Sequence, residues 1–200
     1  VRNICDEHGI FLIFDEIPSA IGRTGEMFVC EHFDVVPDML VIGKGLGGGI
    51  FPMAALLVRE DLEVTGERAL GHYTHEKSSV GCAAALATID CLFEDRLIEN
   101  ARALGRRGLE RLIEIKAKYP LVHDIRGLGL FFGIELRIDN QPALQAAEDI
   151  LYHSLSHGLS YKIGGGCVLT LCPPLTITEA ELFSAFDIIE QGLNAVAPCA

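Results

Sequence analysis

The chain is 200 residues long, half of them hydrophobic, with no tryptophan and a formal charge of -12 from 28 acidic against 16 basic residues. That composition belongs to a folded chain large enough for one or two domains, not to a disordered one. The acidic balance excludes a nucleic-acid backbone or an anionic membrane as the main partner, while leaving room for a small anion held by local positive potential.

The amino end, VRNICDEHGI, carries acids where a signal peptide needs an apolar core. It does not read as a natural protein start, and a piece of a longer protein is expected. Residues 10–16, IFLIFDE, read as a buried strand ending in two acids, and 39–43, MLVIG, read the same way. Residues 52–58 form a third strand with Pro52 at its start, where a missing amide donor is tolerated. Between the first two strands lies a turn-rich stretch with a short helical piece around 25–33. Strands joined by crossover-length connections predict an α/β layer.

Residues 78–93 are Ala-rich and apolar and predict a buried helix. After a break near Asp95, residues 96–118 repeat Leu97, Ile98, Ala101, Leu104, Gly108, Leu109, Leu112 and Ile115 at helical spacing. Pro120 marks the stop. Beyond it, 121–136 read as strand, glycine turn, strand; 142–157 as a helix; 167–172 as a strand; and 178–193 as an amphipathic helix with a Thr178–Glu181 capping box. The expected division is 1–95 as part of a large domain, 96–118 as a linking helix and 119–200 as a small α+β domain. No apolar run reaches ~18 residues, so no membrane span is predicted. The seven cysteines, Cys5, Cys30, Cys82, Cys91, Cys167, Cys172 and Cys199, form no CxxC pair. Reduced thiols in a cytoplasmic protein are expected, with Cys82 and Cys91 as helix-packing residues.

Two residues carry the chemistry. Asp15 ends an apolar strand, where open parallel sheets bind ligands. Read alone, it is a ligand-facing acid or a capping one. Lys44 stands at the next strand end, in DMLVIGKGLGGGI. Alone it reads as a solvated turn lysine. Gly43, Gly45, Gly47, Gly48 and Gly49 around it permit close approach of a ligand and favour a partly desolvated, nucleophilic amine. The order is not that of a P-loop. An acid and a lysine at adjacent strand ends match the needs of pyridoxal 5'-phosphate (PLP), which requires a Schiff-base lysine and an acid that keeps its ring nitrogen protonated.

The segment LIFDEIPSAIGRTGEMFVCEHFDVVPDMLVIGKGLGGGIFPMAA resembles the cofactor-binding region of the class III PLP-dependent aminotransferases, the ω-aminotransferase type. HYTHEKSSVGCAAALATID, DIRGLGLFFGIEL and VLTLCPPLTITEAEL resemble the segments that follow in that family, so the likeness covers essentially the whole chain. The resemblance implies fold type I of the PLP-dependent transferases: part of a large, mixed and mostly parallel sheet domain, followed by a small α+β domain. It implies that Asp15 partners the pyridine nitrogen and that Lys44 is the Schiff-base lysine and proton shuttle, its aldimine carrying an amino group from an amine or amino acid to a keto acid. Ile17 then lies against the ring face. Thr74 reaches a neighbouring subunit's cofactor phosphate, which makes the protein a homodimer or higher homo-oligomer. Arg23 and Thr24 lie in the GRTG loop, read as positioning or as a rigid turn. The family's chain is about twice as long, and its phosphate-binding turn lies upstream. The missing N-terminal half is therefore an expected partner, and these residues alone are an incomplete enzyme.

Two positions depart from the family. Pro18 stands where a glutamine usually approaches the cofactor's phenolic oxygen. Thr170 stands where many members carry an arginine for the substrate carboxylate, and one hydroxyl does not reproduce a bidentate pair. Arg126 and Lys162 are the nearest alternatives along the sequence. The departures keep a racemase, epimerase or decarboxylase of the same fold open, as well as a catalytically incomplete structural subunit. His72 and His75 flank Thr74 without a third ligand, and no metal site is expected. LIFDE also resembles the strand end of a nucleotide hydrolase, but the phosphate loop is absent.

Overall fold

The computed structural model describes residues 1–62 and 78–196. The chain divides into two compact units, Val1–Gly22 with Glu26–Ile98, and Arg23–Gly25 with Glu99–Ala200.

The first unit opens with a helix that the sequence pattern did not announce, α1 (Arg2–His8), stopped by Gly9 in a left-handed cap. Strand β1 (Ile13–Asp15) lies parallel to β2 (Met39–Ile42), with Asp15 opposite Val41, and β3 (Ala55–Val58) runs antiparallel on the far side of β2. A 3-10 helix at Val29–Phe33 interrupts the β1–β2 connection. Strand β1 is shorter than the expected 10–16. The reason is Asp38, which is 3 % exposed and takes the Leu12 amide at 2.7 Å on its carboxylate. The same carboxylate binds Arg2 at 2.9 Å and Arg59 at 2.6 Å, so one acid ties α1 and the starts of β1 and β2 to the residue that follows β3. The Leu12 amide and these guanidinium groups hold Asp38 below the usual carboxylate range.

Helix α2 (Ser79–Glu94) is capped by Ser78, whose hydroxyl accepts the Gly81 amide. Its expected burial is corrected: only Gly81, Ala85 and Leu92 are buried, whereas Val80, Leu86 and Phe93 are 64 %, 63 % and 62 % exposed. Uniform apolarity in a sequence says that a helix will be covered but not by what, and the described residues of this unit cover one narrow stripe. Strand residues Ile13 and Leu56 are exposed in the same way. Among the described residues no helix is long and apolar enough to cross a membrane.

The break at Asp95 is a left-handed Arg96 (φ 52°), after which α3 (Leu97–Lys118) begins. Its buried positions, Ile98, Ala101, Leu104, Leu112 and Ile115, are those the helical repeat predicts. From Glu99 onward α3 belongs to the second unit, so it is a wall of that unit's core rather than a free-standing link.

That unit's sheet is antiparallel throughout. Hairpin β4 (Val122–Leu128) and β5 (Phe131–Ile138) is joined by β8 (Val168–Leu171) and β7 (Lys162–Gly164) in the order β4-β5-β8-β7, and the two-residue β6 (Gln141–Pro142) pairs with β5. Helices α3, α4 (Leu144–Ser156) and α5 (Glu179–Val196) supply Leu112, Ile150 and Phe186 to a core shared with Phe132, Ile134 and Leu169. Phe132 and Phe186 meet edge to face at 5.7 Å. The Thr178–Glu181 capping box is present: the Glu181 amide donates to the Thr178 hydroxyl at 3.3 Å, and the Thr178 amide donates to the Glu181 carboxylate at 2.8 Å.

Candidate functional site

Asp15 and Lys44 are carried by the carboxyl ends of neighbouring parallel strands. Asp15 is the last residue of β1, and Lys44 follows β2 after Gly43. Beyond β1 the chain turns sharply. The Ile17 amide donates to Asp15 Oδ1 at 3.1 Å, which fixes the carboxylate's direction and, among the described residues, leaves its other oxygen without a bond. The Glu16 amide extends the ladder to Val41 O at 2.9 Å.

Asp15 is exposed. The buried carboxylate at this strand end is Glu16, which is 3 % exposed and accepts the amides of Val29 at 2.6 Å and Cys30 at 2.8 Å. Glu16 thereby anchors the first turn of the 3-10 helix at Val29–Phe33. Burial, with Glu16 beside it, pushes the Cys30 thiol up and keeps it neutral. The sequence pattern gives Glu16 no role of its own; its only local signal is the doubled acid at the end of an apolar run.

Lys44 has φ of 46°, left-handed backbone that non-glycine residues rarely adopt. It opens a single 3-10 turn, Lys44–Gly47, closed by Gly48 at φ 66°. A Cβ at Gly48 would come within 2.8 Å of Thr88 Oγ1 on α2, so this turn is seated directly on the helix. The side chain of Lys44 borders an open depression of about 440 Å³ together with Pro52, Met53 and Ala54. The expected partial desolvation of Lys44 is not reached among the described residues: Lys44 is exposed, and Pro52, Met53 and Ala54 are the described residues that wall the depression with it.

These residues fit PLP. At Gly43 a Cβ would sit 3.4 Å from Ala54 Cβ and 3.5 Å from Ile17 Cγ2, so glycine leaves an apolar cradle between the two. A free carboxylate oxygen on Asp15 suits a protonated ring nitrogen. An accessible amine on Lys44 suits an aldehyde.

The other expected residues fall elsewhere. Thr74, His72 and His75 lie outside the described residues. Pro18 is exposed beside Ile17. Arg23 and Thr24 belong to the second unit, where the Arg23 guanidinium donates to the carbonyls of Leu130 and Pro173. Burial lowers the pKa of that guanidinium. The GRTG loop is thus a structural clamp on the β4–β5 turn. Arg126 is bound to Glu135 and Asp124, both at 2.7 Å. Thr170 lies directly across the sheet from Lys162.

The chain is 44 % identical over 199 residues to the (R)-1-hydroxy-2-aminoethylphosphonate ammonia-lyase of Vibrio splendidus, covering 98 % of this chain and 42 % of that protein. It is 37 % identical over 200 residues to the leucine/methionine racemase of Thermococcus litoralis, covering 98 % and 45 % respectively. Ornithine and acetylornithine aminotransferases are also among its relatives. The solved aminotransferase of Vibrio fluvialis, in its PMP-bound form, superposes with a TM-score of 0.90 at 31 % identity, over 97 % of this chain and 45 % of that one. The chain therefore spans about half the length of the relatives it matches, and its mixed α/β fold is that of the type I PLP-dependent transferases. The profile of the family described as aminotransferase class-III matches residues 1–193, and the chain belongs to that family.

Proposed function

We propose that this chain is the lysine-bearing part of a PLP-dependent aminotransferase that moves an amino group from an amine or amino acid to a keto acid. The placement of Asp15 and Lys44 at adjacent strand ends, with Lys44 at an open depression, carries the reading. Bound PLP supplies the electron sink for the bond broken at the substrate carbon. Lys44 holds the cofactor through its amine and, once released, moves the proton at that carbon. Asp15 keeps a negative charge against the ring nitrogen, oriented by the Ile17 amide. Ile17 and Ala54 hold the ring's plane. Thr74 of a second subunit binds the phosphate, in a cytoplasmic homodimer or larger homo-oligomer that includes the rest of the protein. Exposed Val80, Leu86 and Phe93 on α2 are consistent with further chain covering this unit.

A second reading is favoured by the 44 % identity to an ammonia-lyase and by Pro18: elimination of ammonia from a β-substituted amine with no amino acceptor. Racemisation is the third chemistry that the same lysine supports.

The test is borohydride reduction of the assembled holoprotein followed by peptide mapping, alongside product assays with and without pyruvate or 2-oxoglutarate. A phosphopyridoxyl group on Lys44 is expected, and unmodified Lys44 in PLP-saturated protein overturns the reading. A carbonyl product that requires the keto acid establishes transfer, whereas ammonia release without it replaces transfer by elimination.

A further inference from the structure

One peptide plane couples the buried acid of the β1 turn to the exposed one. Its N–H end is the Ile17 amide, which donates to Asp15 Oδ1 at 3.1 Å. Its carbonyl end is Glu16 O, which accepts the amides of Ser19 at 3.1 Å and Ala20 at 2.9 Å. A peptide group is planar and rigid, so the direction of the N–H follows from that of the carbonyl. Rotation of this plane about the Glu16 Cα is therefore the motion that would release the Asp15 carboxylate.

Glu16 resists that rotation through its other bonds. Its amide donates to Val41 O at 2.9 Å, which holds the residue against β2. Its carboxylate reaches across to the loop, Oε2 accepting the Val29 amide at 2.6 Å and Oε1 the Cys30 amide at 2.8 Å. Those amides open the 3-10 helix at Val29–Phe33, and the first amides of a helix have no partner within it. Burial makes the pairing obligatory: Glu16 is 3 % exposed, and a buried carboxylate deprived of a donor is costly. The helix start does not depend on Glu16 alone, because Glu31 takes the Phe28 amide at 2.7 Å from within. What Glu16 adds is a tie across thirteen residues to the peptide that follows Asp15.

We infer that Glu16 is a positioning residue for the proposed chemistry: by locking that peptide plane, it aims the Asp15 carboxylate at the ring nitrogen of PLP. The inference rests on the reading of Asp15 as the partner of that nitrogen. Glu16 acts through Asp15 and itself moves no proton.

The test uses the assembled full-length protein and two variants that break the tie from opposite ends. Glu16→Gln keeps the volume but replaces one acceptor oxygen by an NH2 group facing a backbone N–H. Val29→Pro keeps the Glu16 charge and removes one of its donors. Position 29 is the first of its helix and Phe28 before it is already extended, which suits proline. Glu31→Ala, which frees the Phe28 amide and leaves the bonds of Glu16 in place, is the control. Without cofactor, amide exchange over residues 16–20 is read by mass spectrometry. With PLP labelled at its ring nitrogen, the NMR resonance of that atom reports its protonation, and kcat and KM are measured separately.

Glu16→Gln and Val29→Pro are both expected to speed exchange over 16–20 and to move the resonance toward the unprotonated form. Both are expected to lower kcat by about 10- to 100-fold with little change in KM. Glu31→Ala leaves all of these unchanged. On an Asp15→Asn background, Glu16→Gln adds no further change in resonance or kcat, because its effect runs through Asp15. A resonance that moves in Glu16→Gln but not in Val29→Pro assigns the effect to charge and overturns the inference. Additivity with Asp15→Asn, or unchanged exchange over 16–20, overturns it as well. If the parent binds no PLP, faster exchange in both variants but not in the control supports the positioning of Asp15 while removing the PLP reading, so the two fail separately.

Discussion

Replacing Gly105 by alanine tests the packing of the second unit most directly. A Cβ at this α3 position would lie 2.5 Å from Gly129 O and 2.6 Å from Gly129 C and Cα, which is backbone and cannot rotate away. Ordinary carbon contacts sit near 3.5–4.0 Å, so the β4–β5 turn has to retreat by about 1 Å. It has nowhere to go: a Cβ at Gly129 would itself lie 2.3 Å from Thr24 C, so that turn already abuts Thr24. Retreat also strains the bond from the Leu130 amide to Arg23 O, 3.0 Å long. Alanine gains about 1 kcal/mol of helix propensity. Against it stand overpacking at the upper end of about 1–3 kcal/mol and about 1 kcal/mol for the weakened hydrogen bond. The net is a destabilisation of about 3 kcal/mol, a fall in Tm of roughly 6–12 °C for a chain of this size. Gly108→Ala is the control, because its obstacle is the far end of the Phe132 ring at 2.8 Å, which can tilt. Thermal melts of both variants in the assembled protein, with hydrogen exchange read over residues 120–136, make the comparison. A Gly105→Ala protein that melts at or above the parent, following helix propensity alone, refutes the reasoning.

Two further outcomes follow from the carboxylates and caps. Asp38 and Glu135 have folded pKa values below the ordinary 3.8 and 4.5, so the stability they contribute is complete above those values and is lost as pH falls through the folded ones. Melts at pH 6, 4.5 and 3.5 are expected to be flat across the first step and to fall across the second, and Asp38→Asn is expected to flatten that acid limb. Thr178→Ala removes one side of the capping box, costs about 1 kcal/mol, and is expected to speed amide exchange in the first turn of α5 while leaving α4 unchanged.

The elements legible in the sequence are those whose signal is local. Helix α3 announces itself by its repeat, the start of α5 by Thr178 and Glu181, and the strand ends by apolar runs that stop at Asp15 and before Lys44. What stayed hidden depends on partners far along the chain. The length of β1 is set by Asp38, twenty-six residues from Leu12. Arg23 acts on carbonyls that no local pattern connects to it, and Glu16 binds amides in the following loop. Sequence spacing does not place Lys162 opposite Thr170 or Arg126 opposite Gly133; strand register does. Helix α2 is exposed over most of its apolar surface for a related reason, since an apolar surface in a sequence carries no information about which chain will cover it.

The three-residue segment Arg23–Gly25 also dictates an order of events. It leaves one compact unit, joins the other, and returns. Arg23 contacts Leu130 across 107 residues and Pro173 across 150. Closing so long a loop is entropically costly, though each doubling of length adds only about 0.6 kcal/mol, and contacts of this separation form late and slowly. The second unit is therefore a discontinuous folding module. Synthesis of residues 99–200 alone would lack the turn segment against which the β4–β5 turn is built, and the hairpin reaches its final packing only after a segment made more than a hundred residues earlier has found it.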